Sequence, residues 1–346
     1  MKRNSYLHLF VFVLILVFLW ILAGWNTNNF DYDNYSRRYD YVLNGGFNPL
    51  MLDFGYDFIE YISGLFGLTF QQFRIWIYGV GLLIIGLLVW KWSIHPIWVL
   101  VFYVCFHFLR DVVETRNFLA SIFILLTIGC YGRNKPKYIP ILLLILLGVS
   151  IHMVFFLYIP FVIIDFKKLN YWLLFVVSIS LSLFSNKILG DSVSFLAFEG
   201  FDDKVDRFLS SSTSYAFLAS VCSALGNGFC LSFFHNKVIK AGTNNIKIKH
   251  LSMNQYSWIM YNMNTLTCLF LIFTPINSSF YTRLFGNILI LNVIYFTNVI
   301  SWIKRDRAIM IMILIVYAFY FIIFDNIQPL MEHLNYVLNN NSLLFH

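Results

Sequence analysis

Three arginines stand where a membrane-crossing helix would begin or end. Arg110, Arg116 and Arg283 each lie at or inside the end of a long apolar run. A charge at membrane depth costs about 2.5–3.5 kcal/mol on insertion scales, and such residues commonly mark a functional cavity. The planar guanidinium fork grips phosphate or carboxylate oxygens through two hydrogen bonds. The three arginines therefore predict an anion site, with pairing to the nearby Asp111 and Glu114 as the structural alternative.

Two histidines in apolar runs are candidates for proton transfer near neutral pH. His152 is predicted at the turn of a short helical hairpin, where it could act as a general base or simply pack. His107 follows Tyr103 by four residues and precedes Arg110 by three, so an α-helix would place all three on one face. For His107 we favour a hydrogen bond to a neighbouring residue.

A cluster of acids and tyrosines follows the first apolar run. It reads Asp31-Tyr32-Asp33-Asn34-Tyr35-Ser36-Arg37-Arg38-Tyr39-Asp40-Tyr41. Carboxylates accept hydrogen bonds from sugar hydroxyls, and one of them can act as a base, while tyrosine rings pack against the faces of pyranose rings. The cluster predicts a sugar-binding surface. A belt of aromatic residues at the membrane interface explains the same composition and stays open as the alternative.

The composition indicates which elements must position these residues. Hydrophobic residues make up 59% of the 346 residues and charged residues only 12%, too few charges to cover the surface of a water-soluble protein. The basic residues behind the net charge of +7 lie in short loops between apolar runs, so we expect them to orient the chain in a membrane rather than to bind nucleic acid.

The five cysteines lie in apolar runs without ligand spacing, so we predict neither disulfides nor a metal site.

We predict an all-α, polytopic membrane bundle in a single domain, 1–346, with about eleven membrane segments. The apolar runs are 5–25, 73–90, 94–109, 116–131, 138–150, 152–165, 170–186, 214–234, 255–275, 280–302 and 308–324. Lysine-rich loops place the N-terminus in the cytoplasm. Alternation then gives two long outer loops, 26–72 and 187–213, and a C-terminal outer tail, 325–346. Arginine predominates among the basic residues predicted outside, whereas lysine predominates inside.

The segment 138–165 is the critical part of this topology. It is too short for two full spans, which need roughly 40 residues. A single span would place the lysine-rich loop 237–249 outside, against the usual distribution of charge. We therefore predict a short helical hairpin that turns at His152 below the outer membrane surface.

The order and spacing of several short motifs resemble the EpsG family of Wzy-type polymerases. The motifs are Asp31–Tyr35, Arg110–Ala120, Ser150–His152, Tyr281–Phe285 and Pro329–Tyr336. The resemblance spans most of the chain. It implies an enzyme of the bacterial cytoplasmic membrane that joins oligosaccharide repeats, carried on undecaprenyl pyrophosphate, into O-antigen, capsule or exopolysaccharide on the outer face.

The resemblance also implies a set of site residues that needs neither cofactor nor metal. Arg116 and Arg283, assisted by Arg110, would bind the pyrophosphate, and His152 or Asp33 would remove the proton of the acceptor hydroxyl. The residues expected to contact sugar are Asp31, Tyr35, Tyr39, Glu114 and Tyr281. The expected partners are the lipid-linked donor and acceptor, the bilayer, and the chain-length regulator and flippase of the same pathway.

Two other functions fit the same sequence. A multi-span transferase that adds one sugar from a lipid-linked donor would use an acidic pair such as Asp31 and Asp33. A glycolipid flippase or exporter would use polar residues in the spans 255–275 and 280–302. For those polar residues, hydrogen bonds between helices are the preferred explanation, and no internal repeat is evident.

Overall fold

The apolar runs form helices, because a backbone in lipid must satisfy its own hydrogen bonds. The computed structural model describes residues 5–49, 54–131, 137–164, 169–193, 214–242, 246–275, 280–304, 306–319 and 337–344. The α-helices are α1 (Ser5–Gly24), α2 (Tyr32–Tyr41), α3 (Phe54–Leu65), α4 (Phe70–Trp92), α5 (Pro96–Tyr103), α6 (Leu109–Val113), α7 (Thr115–Leu126), α8 (Tyr138–Ile151), α9 (Tyr171–Val193), α10 (Ser214–Lys240), α11 (Met253–Thr267), α12 (Phe280–Trp302) and α13 (Arg307–Phe319).

The helical content agrees with the prediction of an all-α membrane protein. Among the described residues, four helices are long and apolar enough to cross a membrane, and they are α1, α4, α10 and α12. Five further apolar helices are shorter. The β-structure within the described residues includes a two-residue ladder, Lys247–Ile248 with Leu251–Ser252, just before α11, and a bridge between Asn26 and Asn341.

The predicted outer loop 26–72 contains two helices rather than an irregular chain. α2 covers the cluster of acids and tyrosines, and a π-helical turn, Val42–Gly46, ends it. Gly45 in that turn has φ of 96°, a conformation that glycine adopts without steric cost. α3 follows and packs on α8 at Gly55, where a Cβ would lie 2.5 Å from Ser150 Oγ. The loop is thereby attached to the helical bundle.

The run predicted at 94–109 does not continue as a uniform α-helix. α5 leads through a π-helical turn, Val104–Phe108, into α6. The wider turn changes which side chains meet. Tyr103 donates a hydrogen bond to Asp111 Oδ2 at 2.6 Å, and His107 Nε2 lies 3.3 Å from Asp111 Oδ1. Tyr103 and His107 of the predicted face therefore meet Asp111, whereas Arg110 lies near Glu114.

The short hairpin turns where it was predicted to turn. α8 ends at Ile151, and a 3₁₀-helix, Met153–Ile163, follows the extended residue His152. The 3₁₀-helix packs back on α8, since a Cβ on Gly148 would lie 3.3 Å from the ring of Phe155.

α8 also packs antiparallel to α7 and its 3₁₀ extension, Thr127–Cys130. The backbone N–H of Lys137 donates to the carbonyl of Cys130 at 2.9 Å. Towards the other end of α8, a Cβ on Gly148 would lie 3.5 Å from the carbonyl oxygen of Ala120. These two contacts fix the register between the helices.

Several helix ends meet at one end of the bundle, which we call the arginine end. Arg74, near the start of α4, donates to the carbonyl of Ala23 at the end of α1 (3.3 Å) and to Thr115 Oγ1 at the start of α7 (3.2 Å). Arg283, near the start of α12, contacts Glu114 between α6 and α7. The alternation predicted from the basic residues assigns all these helix ends to one side of the membrane.

The C-terminal segment 337–344 lies at the arginine end as well. The backbone N–H of Thr27 donates to the carbonyl of Asn340 at 2.8 Å, and Asn341 Nδ2 donates to the carbonyl of Ile21 at 2.9 Å. The part of the predicted second outer loop from residue 194 onward lies outside the described residues. The same is true of the motif Pro329–Tyr336.

α12 is the central helix, and nearly all of its side chains are buried. Its asparagines bond to other helices. Asn117 of α7 donates to Asn287 at 2.9 Å, and Asn264 of α11 donates to Asn292 at 2.7 Å. Such bonds satisfy polar groups within an apolar bundle. They support the explanation preferred for these polar residues from the sequence.

Candidate functional site

Glu114 stands at the break between α6 and α7 and joins two of the predicted anion-binding arginines. Its backbone is not helical, with φ of −93° and ψ of 65°. Its Oε1 lies 3.1 Å from Nε of Arg283 and 4.0 Å from Nε of Arg110. The Glu114 side chain is 13% exposed, whereas that of Arg283 is 45% exposed. A carboxylate thus lies between two guanidinium groups, in the kind of position that a phosphate oxygen would take.

The two acids proposed as alternative partners of the arginines behave differently. Glu114 contacts Arg283 and Arg110, whereas Asp111 is turned into the bundle towards Tyr103 and His107. A small internal cavity behind the arginine end is lined by Asp111 and its two partners, together with apolar side chains and Asn287 of α12.

Arg116 is the second residue of α7, where unsatisfied backbone N–H groups and the helix dipole favour an anion. Its guanidinium carbon lies 5.4 Å from the centre of the Tyr56 ring. Tyr35 of α2 lies beside the backbone of Arg116. Burial raises the pKa of Tyr35, the charge of Arg116 opposes that rise, and Asp31 and Glu114 add to it. Tyr35 therefore lies within electrostatic reach of Arg116 and of both carboxylates.

Arg74 is completely buried next to this cluster, and the sequence reasoning gave it no role. Its guanidinium donates to Thr115 Oγ1 and to the carbonyls of Ala23 and Val112 at 3.2–3.3 Å. Among the described residues, no carboxylate lies within salt-bridge distance of Arg74. Its charge is therefore not neutralised locally and adds to the positive potential around Arg116. The criterion that selected the other arginines also applies to Arg74, because it lies within the first turns of an apolar run.

The inner face of α3 brings further charged groups that the sequence reasoning missed. Arg38 of α2 donates to Asp57 at 2.8 Å and lies 3.7 Å from Glu60, which is fully buried. Burial raises the pKa of Glu60 to about 8, although the charge of Arg38 opposes the shift. The hydroxyl of Tyr56 and the carboxyl of Glu60 have no hydrogen-bond partner in the described part of the chain. Both groups lie on the side of α3 that faces Arg116.

His152 lies level with Arg116. α7 and α8 run antiparallel with Ala120 beside Gly148, so Arg116, one turn before Ala120, and His152, directly after the end of α8, lie towards the same end of the two helices. The ring of His152 is half-buried, and its centre lies 6.0 Å from that of Phe155. The packing of two neighbouring helices thus brings the predicted base to the depth of a predicted anion ligand.

The two aspartates of the first cluster lie in different surroundings. Asp31 directly precedes α2, and Asn34 Nδ2 donates to its Oδ1 at 3.4 Å. Asp33 is exposed on the outer face of α2, beside a shallow depression shared with Arg37. Positions 33 and 35 of a helix point in nearly opposite directions, so Asp33 faces away from the side on which Tyr35 meets Arg116.

Two of the tyrosines predicted to contact sugar are buried. Tyr39 donates to the carbonyl of Leu68 at 2.7 Å, so its hydroxyl is satisfied within the protein. Tyr281 is fully buried, and its ring stacks on that of Phe285 with centres 5.5 Å apart. Tyr35, which is half-buried beside Arg116, is better placed to meet a ligand.

The arginine end therefore combines several cations with few acids. Arg110 and Arg283 contact the carboxylate of Glu114. Arg116 lies over the ring of Tyr56, and Arg74 is buried against Thr115 at the start of the same helix. Such an arrangement can bind a multivalent anion and move a proton beside it. Among the described residues, no group of three or more His, Cys, Asp or Glu side chains could hold a metal ion.

Comparison with known proteins gives one match. A family model described as the EpsG family matches residues 9–338, nearly the whole chain. No curated protein sequence and no solved structure gives a significant match.

Proposed function

Because the chain belongs to the EpsG family of Wzy-like polymerases, we propose that it polymerises oligosaccharide repeats carried on undecaprenyl pyrophosphate. The arginine end would then face outward from the bacterial cytoplasmic membrane, with the N-terminus in the cytoplasm. The observation that carries the proposal is the contact of Arg110 and Arg283 with Glu114, next to Arg116 at the start of α7 and at one end of an apolar helical bundle.

The arginine cluster suits the leaving group of this reaction. Pyrophosphate leaves readily once its negative charge is neutralised, and arginine neutralises it while forming two hydrogen bonds to its oxygens. We assign this role to Arg116 and Arg283, with assistance from Arg110. Glu114 holds the two outer guanidinium groups, those of Arg283 and Arg110, in place before the donor binds.

In the proposed reaction, the acceptor hydroxyl oxygen forms a bond to the anomeric carbon of the donor. The bond from that carbon to the pyrophosphate oxygen breaks, and the pyrophosphate keeps the electron pair. His152 takes the hydroxyl proton, since imidazole binds protons near neutral pH and lies level with Arg116. Asp33 is the alternative base for an acceptor that approaches from the exposed side of α2.

The sugar next to the pyrophosphate would lie between α2, α3 and α7. Asp31 and Tyr35 stay in the proposal as sugar contacts, and the buried Tyr56 supports the guanidinium of Arg116 from the protein side. Glu114 would contact a sugar hydroxyl as well as its arginines. Tyr39 and Tyr281 are buried and would support the site through packing.

The decisive experiment is polymerisation by the purified protein in vesicles, with synthetic lipid-linked repeats and no ion gradient. A ladder of products on a gel supports the polymerase. Addition of a single sugar would instead support the lipid-dependent transferase, and movement of the glycolipid without new bonds would support a flippase.

Substitution of Arg116 tests the site itself. Arg116→Lys keeps the charge but loses the fork, and we expect a rate about 10–100-fold lower, the effect of losing a charge-assisted hydrogen bond. Arg37→Lys, at an exposed position of α2, is the matched control and should polymerise normally. Full-length polymer from Arg116→Ala would show that the assignment of Arg116 is wrong.

A further inference from the structure

α3 has the reverse of the polarity expected for a helix in water. Its buried side includes Asp57, Glu60 and Ser63. Its exposed side consists of large apolar and aromatic residues, namely Phe54, Phe58, Tyr61 and Leu65. Phe58 is 48% exposed and Leu65 is 69% exposed. An amphipathic helix on the surface of a soluble protein places these two faces the other way round.

α2, in the same predicted outer loop, has the ordinary polarity. Its exposed positions include Asp33, Asn34, Arg37 and Asp40, and its inward side carries Tyr39. Two consecutive helices, packed on each other through Arg38 and Asp57, thus present surfaces of opposite character. A single solvent around both helices would not produce this difference, whereas water on one side and hydrocarbon on the other would.

The apolar face of α3 continues an apolar surface of the bundle. α3 packs against the end of α8 at Gly55 and Ser150. The exposed residues of α8 next to this contact are Leu143, Leu146 and Leu147. In a bundle with so few charges, such a leucine surface belongs to the part that contacts lipid. The aromatic residues of α3 extend it towards the arginine end, at the level where aromatic side chains favour the membrane interface.

We propose that α3 is an interfacial helix, embedded in the leaflet at the arginine end with its apolar face against phospholipid acyl chains. α2 lies on the aqueous side of it. The polar face of α3 is then turned towards Arg38 and Arg116. A ligand with a lipid anchor would reach these cations without leaving the leaflet, a consequence that rests on the function proposed above.

The unmodified chain provides the first test. The protein is reconstituted in phosphatidylcholine vesicles that contain a phospholipid with a photoreactive acyl chain, irradiated, digested and mapped by mass spectrometry. We expect adducts on the α3 peptide, centred on Phe58 and Leu65, and no adducts on the α2 peptide. Equal labelling of both helices, or none on α3, would overturn the proposal.

A spin label provides the second test, in a variant whose five native cysteines are replaced. We expect the label at Phe58→Cys to be relaxed more by oxygen than by a water-soluble nickel complex, and the label at Arg37→Cys to show the opposite order. Equal access of nickel to both sites refutes the embedding of α3. Protection of Phe58→Cys from both reagents would mean that protein covers this face, which also refutes it. Neither readout depends on polymerase activity, so failure of the proposed function leaves both tests valid.

Discussion

Glu114 Oε1 lies 3.1 Å from Nε of Arg283, which pairs the residue between α6 and α7 with the start of α12. The same oxygen lies 4.0 Å from Nε of Arg110. A mostly buried carboxylate therefore neutralises part of the arginine cluster and must share its partners with any anion that binds there. This competition has a measurable consequence.

Glu114→Gln should tighten the binding of inorganic pyrophosphate while slowing polymerisation. A partly exposed ion pair is worth about 1 kcal/mol, so removing the competing charge should lower Kd by about fivefold. Titration calorimetry in detergent measures this change. Asp40→Asn, at an exposed carboxylate of α2, is the control and should leave Kd unchanged. Weaker binding by Glu114→Gln would contradict the role of these arginines as an anion site.

Arg74→Met should weaken pyrophosphate binding with little effect on stability. Three acceptors lose a donor: the carbonyl of Ala23 at the end of α1 loses its bond to Arg74, whereas Val112 O and Thr115 Oγ1 keep contacts at 2.9 Å with the hydroxyl of Tyr78. An apolar side chain of similar size often replaces a buried charge at low cost. The missing charge should raise Kd by about tenfold, from an interaction on the order of 1–2 kcal/mol at an effective dielectric of about 20.

Thermal unfolding in detergent and calorimetry separate the two effects of Arg74→Met. A large drop in Tm with unchanged Kd would show that Arg74 acts only in packing. Arg37→Met, which removes an exposed charge, serves as the control for net charge.

Gly55→Ala should loosen the contact between α3 and α8. The new Cβ would lie 2.5 Å from Ser150 Oγ and 2.9 Å from its carbonyl oxygen, and overpacking of this kind costs about 1–3 kcal/mol. We expect a lower Tm and lower polymerase activity. Gly129→Ala has open space around the new Cβ and should leave Tm unchanged or slightly higher. If the two variants had the same Tm, the packing of α3 on α8 would be in doubt.

Glu60→Gln should change how stability depends on pH. Burial raises the pKa of Glu60 from 4.5 to about 8, and the charge of Arg38, which opposes this rise, lies closer to Asp57 than to Glu60. Between these two values the folded protein keeps a proton that the unfolded chain has lost. Wild-type stability therefore falls as pH rises from about 4.5 to 8. Glu60→Gln lacks this dependence and should gain Tm relative to wild type at pH near 9 but not near 5. A difference in Tm that is independent of pH would contradict the shift.

Local sequence patterns were sufficient for the helical bundle and for part of the site. Long apolar runs can satisfy their backbone only as helices in lipid, so their number and order indicated a polytopic bundle. The shortness of 138–165 indicated a hairpin with His152 at its turn, because chain length limits what can cross a membrane. The cost of burying charge marked Arg116 and Arg283 as unusual before any contact was known.

Other features depended on contacts between distant parts of the chain. The sequence offered Asp111 and Glu114 equally as partners for the arginines, and a π-helical turn directed Asp111 into the bundle and left Glu114 facing Arg283. The burial of Arg74 followed from the meeting of α1, α4 and α7. No local pattern encodes such a meeting, because it depends on the register of whole helices.

The orientation of α3 shows most clearly which features the local sequence determined and which the tertiary contacts decided. Its sequence determined an amphipathic helix, since apolar and polar residues recur at helical spacing from Phe54 to Leu65. The pattern did not determine which face turns inward, because a membrane protein meets both water and hydrocarbon. Packing at Gly55 and the pairing of Arg38 with Asp57 decided it: they turned the charged face towards the arginines and left the aromatic face outside.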